Sequence, residues 1–128
     1  DDLDIECFSY SPLGAGLLTG KYASKGTKGR LAEDARYAKR YGAFEMHASA
    51  KALHEISKRY NVSCATLAVA WVLMSRYRTT PIISGRTSEQ LSPVLDALDF
   101  DMSENLFAEI NEISAKPAPA TDRLEEQA

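Results

Sequence analysis

The run Ile5-Glu6-Cys7-Phe8-Ser9-Tyr10, continued by Ser11-Pro12-Leu13-Gly14-Ala15-Gly16-Leu17-Leu18-Thr19-Gly20-Lys21, decides how this chain is read. Its apolar part predicts a buried strand over Leu3 to Tyr10. Pro12, Gly14 and Gly16 then break the chain into a loop, and the residues after them predict a helical turn closed by Lys21. A loop of this kind at the C-terminal end of a strand leaves backbone N–H groups free to meet an anion.

Outward from that run, the chain has the composition of one ordinary globular domain. It has 128 residues, of which 45% are hydrophobic and 26% charged. A net charge of −3 argues against nucleic acid as a partner, because phosphate binding calls for a basic excess. No apolar run approaches the length that crosses a membrane. The chain opens on Asp1-Asp2-Leu3-Asp4, with no initiator Met, and no signal peptide is expected. Cys7 and Cys64, the two cysteines, fit no metal motif and no disulfide framework. Both stand in apolar surroundings, which predicts buried, reduced thiols and a cytoplasmic setting.

Residues 22–43 read as a long, structureless connection carrying Lys25, Lys28, Arg30, Arg36, Lys39 and Arg40 against Glu33 and Asp34. A functional loop and a merely solvated one fit that pattern equally. Phe44 to Tyr60 predicts a helix with Leu53, Ile56 and Tyr60 on one face and Asn61 as its left-handed stop. Ser63 caps a second helix, Cys64 to about Arg76, apolar nearly all round and so expected in the core. Thr79 to Ser84 is a second short strand. Ser88 is expected to cap a helix over Glu89 to Leu98, with Pro93 near the end of its first turn. Ser103 caps a last helix, Glu104 to Ser114. The tail over 116–128 is expected to be mobile, leaving 1–115 as the folded unit.

Strand and helix alternate, which predicts an α/β fold with a parallel sheet. Two short apolar strands cannot cover both of their own faces. The expectation is therefore an incomplete fold, prone to aggregate if produced alone.

A second motif follows the second strand: Ile83-Ser84-Gly85-Arg86-Thr87-Ser88-Glu89-Gln90. Gly85 permits a tight turn, Arg86 stands at a helix N-terminus, and the N–H groups of Thr87 to Gln90 point together. An Arg fork there suits a phosphate, and Gln90 suits the edge of a flat heterocycle. Locally the pattern fits a capped helix with a solvent-exposed Arg as well as an anion seat.

Tyr-Ser-Pro-Leu followed by Gly-Leu-Leu-Thr-Gly-Lys-Tyr, together with the strand–Gly-Arg–Gln pattern, resembles the aldo-keto reductases, in the right order and over nearly all of residues 3–115. The intervening Ser63 to Val72 resembles that family's penultimate barrel helix. The resemblance implies the last two strands and helices of a (β/α)8 TIM barrel, with more than half of the barrel preceding residue 1. It implies NADP(H) as cofactor, and reduction of an aldehyde or ketone to an alcohol by the parent protein. Partners are then the nicotinamide cofactor and a small carbonyl substrate, with no nucleic acid and no membrane.

Carried over by residue, the resemblance assigns Tyr10 to the nicotinamide ring and Ser11, Pro12, Leu13, Gly14 and Ala15 to the loop around the pyrophosphate. Lys21 reaches the phosphates and Arg30 belongs to the loop folding over them. Ser84, with the Gly85 turn, and Arg86 hold the adenosine 2′-phosphate, and Gln90 lies near the adenine. Ser84 and Gly85 depart from the family's usual Gly and Ala or Ser. Pro93 and Val94 replace an acid and an Asn that bond the adenine. The family's catalytic Tyr, Lys, Asp and His map to no residue here, so this segment is expected to bind and not to catalyse. His47 and His54 read as surface or packing residues. Potassium-channel β subunits share the barrel and motifs, and a regulatory protein of that kind is the alternative. Their loop carries bulkier residues where this one reads Leu13-Gly14-Ala15-Gly16. A small binding module complete as written is a third reading, opposed by the uncovered strands.

Overall fold

The computed structural model describes residues 5–23, 28–75 and 79–114. Leu3, the predicted helix end at Arg76 and the tail over 116–128 lie outside them. Strand β1 is Cys7–Tyr10, ending where the sequence suggests but starting later, and β2 is Thr79–Ile82, starting where expected but ending two residues earlier. They pair in parallel, Cys7 opposite Thr79 through Tyr10 opposite Ile82. Between and after them lie α1 (Arg30–Glu33), α2 (Ala35–Tyr41), α3 (Phe44–Tyr60), α4 (Cys64–Leu73), α5 (Ser88–Leu95) and α6 (Glu104–Glu112). Short 3-10 segments, Gly14–Thr19, Lys21–Ala23 and Asp96–Leu98, fill the turns.

The core is built around α4. Cys64 to Ala70 are buried without a break, and Leu67 is wholly enclosed. Leu53 and Ile56 of α3 and Val94, Ala97, Met102, Leu106 and Ile110 from the C-terminal part share one core with α4. Each of the larger of these side chains, taken fully from water, contributes about 1.5–3 kcal/mol. Ser63 caps α4 by accepting from Thr66 N–H at 2.9 Å, and Ser103 caps α6 by accepting from Leu106 N–H at 3.3 Å. Asn61 ends α3 in the left-handed region, at φ 52° and ψ 41°.

Several expectations are corrected. The strands are not buried: Phe8 is 58% exposed, Tyr10 66% and Ile82 55%. Phe8, Tyr10, Thr80 and Ile82 share one face by register, while Ser9 and Pro81 on the other are partly covered. The Phe8–Ile82 face lies bare because the described residues contain no layer to cover it. Cys7 is likewise exposed, whereas Cys64 is buried as expected. Tyr60 turns outward, its hydroxyl bonded to Glu109 beside the Arg59–Glu109 ion pair. Trp71 and Leu73 stand at the exposed end of α4.

The described part of the 22–43 connection is not structureless. Asp34 accepts from Arg36 N–H at 3.0 Å and caps α2, while its carboxylate pairs with the Arg36 guanidinium at 2.9 Å. Thr87, not Ser88, caps α5, since either hydroxyl side chain suits the position. Pro93 therefore falls on the sixth residue of α5, beyond the first turn. The N–H it lacks would have met the carbonyl of Glu89, an exposed residue whose carbonyl water can serve.

Candidate functional site

Because β1 and β2 run parallel, the loops that leave their C-terminal ends emerge side by side. Between them lies a cavity of about 670 Å³, inside the roughly 300–1,000 Å³ range of small-molecule sites. Eleven of the twelve residues singled out from the sequence line it: Tyr10, Ser11, Pro12, Leu13, Ala15, Lys21, Arg30, Ser84, Gly85, Arg86 and Gln90. Gly14 is the exception.

The first wall is the loop after β1. Ser11 at φ 57° and Ala15 at φ 55° hold left-handed backbone although neither is glycine, alongside Gly14 at φ 53° and Gly16 at φ 95°. Such conformations cost about 1–2 kcal/mol at each non-glycine residue and cluster at functional sites. The N–H groups of Gly14 and Gly16 donate to the carbonyls of Ser11 and Leu13, both at 2.9 Å, and Leu18 N–H also donates to Leu13. These three amides close turns, so the loop offers an anion fewer N–H groups than its composition suggests.

Lys21 is held by shape. Its ammonium lies 4.8 Å from the Tyr22 ring centroid. A methyl added to Gly16 would stand 3.1 Å from the Lys21 Nζ, and one added to Gly29 2.6 Å from it. The two glycines thus form a slot for the Lys21 side chain. Arg30 opens α1 and stacks 5.8 Å from the Tyr37 ring centroid. Tyr22 fastens that helix by accepting from Leu31 N–H at 3.2 Å.

The second wall is the turn from β2 into α5. Arg86 N–H donates to Gln90 Oε1 at 3.1 Å, and Gln90 N–H donates to Thr87 Oγ1 at 3.4 Å. Gln90 therefore braces the turn through its oxygen, which leaves its amide NH2 as the group for a ligand. Its backbone N–H belongs to the cap and not to an anion, contrary to the sequence reading.

Lys21, Arg30 and Arg86 line this cavity together with Glu33 and Glu89, an excess of one positive charge. The Glu89 carboxyl is held below its ordinary value, first by a hydrogen bond from the Thr87 side chain and next by its own backbone N–H. Sequence reasoning passed over both carboxylates, and also Ser63 and Ala65, which reach the cavity from the start of α4. An acid in the first turn of a helix was the visible signal for Glu89.

Among the described residues no cluster of three or more His, Cys, Asp or Glu could hold a metal, and no helix is long and apolar enough to cross a membrane. His54 is half-buried, its Nδ1 3.6 Å from Cys64 Sγ.

The aldo/keto reductase family model matches residues 1–115. The chain is 33% identical over 121 residues to an uncharacterized oxidoreductase, YrpG, of Bacillus subtilis strain 168, covering 94% of this chain and 35% of that protein. It is 29% identical over 120 residues to protein tas of Escherichia coli strain K12, covering 90% and 34%. It spans about a third of the length of the curated relatives it matches. The family match runs from the first loop through the second in one unbroken span, and on it the chain belongs to the aldo/keto reductase family.

Proposed function

We propose that this segment forms the NADP(H)-binding end of a reductase that converts aldehydes or ketones to alcohols. The observation that carries the reading is the convergence of two loops, more than sixty residues apart in sequence, on one cavity with three cations at its wall. On this reading residues 1–115 are the last two strand–helix units of a (β/α)8 barrel. The bare strand face then belongs to the barrel interior, and phosphate sites of such barrels lie at the same C-terminal ends. Two unpaired thiols, Cys7 and Cys64, suit a cytoplasmic protein.

The residues present fit the cofactor. Lys21 and Arg30 supply charge for the pyrophosphate beside the Ser11 to Ala15 loop, with Tyr10 at the nicotinamide end. Arg86, with Ser84 and the Gly85 turn, supplies a charged fork for the 2′-phosphate, and the Gln90 amide serves the adenine. When bound, the dinucleotide supplies the hydride. The segment itself orients the cofactor and contributes no proton donor, so on its own it reduces no carbonyl compound.

The test is cofactor titration of the natural protein against Arg86→Ala, read by quenching of intrinsic fluorescence. A charge-assisted contact is worth about 1.5–3 kcal/mol. At 1.4 kcal/mol per decade, NADPH should bind roughly ten- to a hundredfold more weakly while NADH barely changes. Equal weakening of both cofactors would remove Arg86 from the 2′-phosphate and overturn the placement of the adenosine end.

A further inference from the structure

Resting on that reading, we infer that Arg40 is a positioning residue for the Tyr10 ring, which it tethers at the mouth of the cavity. Tyr10 is the last residue of β1 and projects from the bare face of the sheet. With 66% of its surface exposed, packing alone does not fix its ring. A ring that turns freely loses side-chain entropy whenever a ligand stacks on it. Arg40 Nη2 donates to the Tyr10 hydroxyl at 3.4 Å, joining positions thirty residues apart.

Arg40 is itself held in place. The next residue, Tyr41, lays its ring over Gly14, where an added methyl would stand 3.7 Å from Tyr41 Cε1. The Arg40 guanidinium lies 6.0 Å from that ring's centroid, within cation–π reach. The other end of α2 is capped by Asp34. Gly14, the one expected site residue outside the cavity wall, thereby acquires a role as the seat of Tyr41. The last turn of α2 thus holds the end of β1 at the Tyr10 hydroxyl and the loop after it at Gly14.

A tether and a bare positive charge predict different things. If Arg40 acts through Tyr10, removing either end has the same effect, and removing both adds nothing. The experiment is a double-mutant cycle of Arg40→Ala and Tyr10→Phe in the natural protein, read by NADPH titration. Each single variant is expected to weaken binding about three- to tenfold, and the double variant no more than either. Additive losses would show that Arg40 acts on the cofactor by charge and overturn the tether, as would unchanged binding in Tyr10→Phe.

A second measurement needs no cofactor. In protein carrying 13C-labelled tyrosine, Arg40→Ala should shift and broaden the Tyr10 ring signals while Arg36→Ala leaves them in place. Unmoved Tyr10 signals refute the tether whatever the cofactor does. Moved signals in a protein that takes up no NADPH uphold the tether and refute the cofactor reading.

Discussion

Thr66 is the joint between α4 and the helix that carries the second loop, so Thr66→Val tests how the cavity is held open. Thr66 is 4% exposed. Its hydroxyl donates to the carbonyl of Pro93 at 2.6 Å, and the Ser63 hydroxyl, 2.7 Å away, is left to donate to Thr66. Valine has nearly the same shape, so no cavity opens, but both bonds are lost. Each neutral hydrogen bond contributes about 1 kcal/mol net, and an unsatisfied buried partner raises the loss, so the expected cost is about 2–3 kcal/mol. Urea unfolding followed by far-UV circular dichroism and by Trp71, the one tryptophan and a member of α4, measures it. Thr66→Ser, which keeps the hydroxyl and gives up a methyl, should lose less. If the valine variant is as stable as the parent and the serine variant is the weaker, the site is held by apolar packing and the hydrogen-bond argument is wrong.

Two other perturbations probe the turns that support the site. Gly20→Ala should lower the urea midpoint sharply, at a cost of about 2–4 kcal/mol, because Gly20 sits at φ 79° and an added methyl would stand 3.1 Å from His54 Nδ1 and 3.2 Å from Cys64 Sγ; an unchanged midpoint would mean that the turn is built differently. Glu89→Gln should tighten NADPH binding a few-fold at low salt and hardly at all at high salt, since it removes an anion from the helix end that Arg86 shares, and equal binding in both variants at low salt would refute that competition. For stability the sign is opposite: the Glu89 pKa is lowered in the folded protein, so its contribution to stability is present above the ordinary carboxylate value and fades as pH falls through the folded one.

What could be read from the sequence is what local chemistry decides. Asn61, Ser63 and Ser103 end or start helices through their own backbone preferences and side-chain oxygens, and all three stand where they were expected. The same chemistry at Asp34 is masked by the charge pattern around it, which reads as loop where α2 forms. At Thr87 and Ser88 two capping hydroxyls lie side by side, so the pattern fixes the cap only to within one residue. Burial was less legible than secondary structure. An apolar residue states that it can be buried, but only the neighbouring elements decide whether it is, as Phe8, Tyr10 and Tyr60 show.

The site was legible for a different reason. No spacing rule connects Tyr10 with Arg86, and locally Arg86 reads equally well as a capped, exposed side chain. What joins them is the parallel ladder, which sets Tyr10 against Ile82 so that Ser11 and Ile83 leave the sheet at the same edge. An antiparallel pairing would have carried the two loops to opposite ends of the sheet, and no choice of side chains could have made one cavity from them. The alternation of strand and helix implies the parallel direction, and the resemblance implies that these are successive strands of one barrel. It was silent about Arg40, Glu33 and Glu89, whose places depend on how residues 28–41 fold and on which hydroxyl caps α5. The walls of the cavity thus follow from topology, while its charge balance and the setting of Tyr10 follow from two short helical segments. Substitutions in α1 and α2 should therefore alter cofactor affinity without altering the sheet, whereas changes at the α4–α5 joint should alter stability and affinity together.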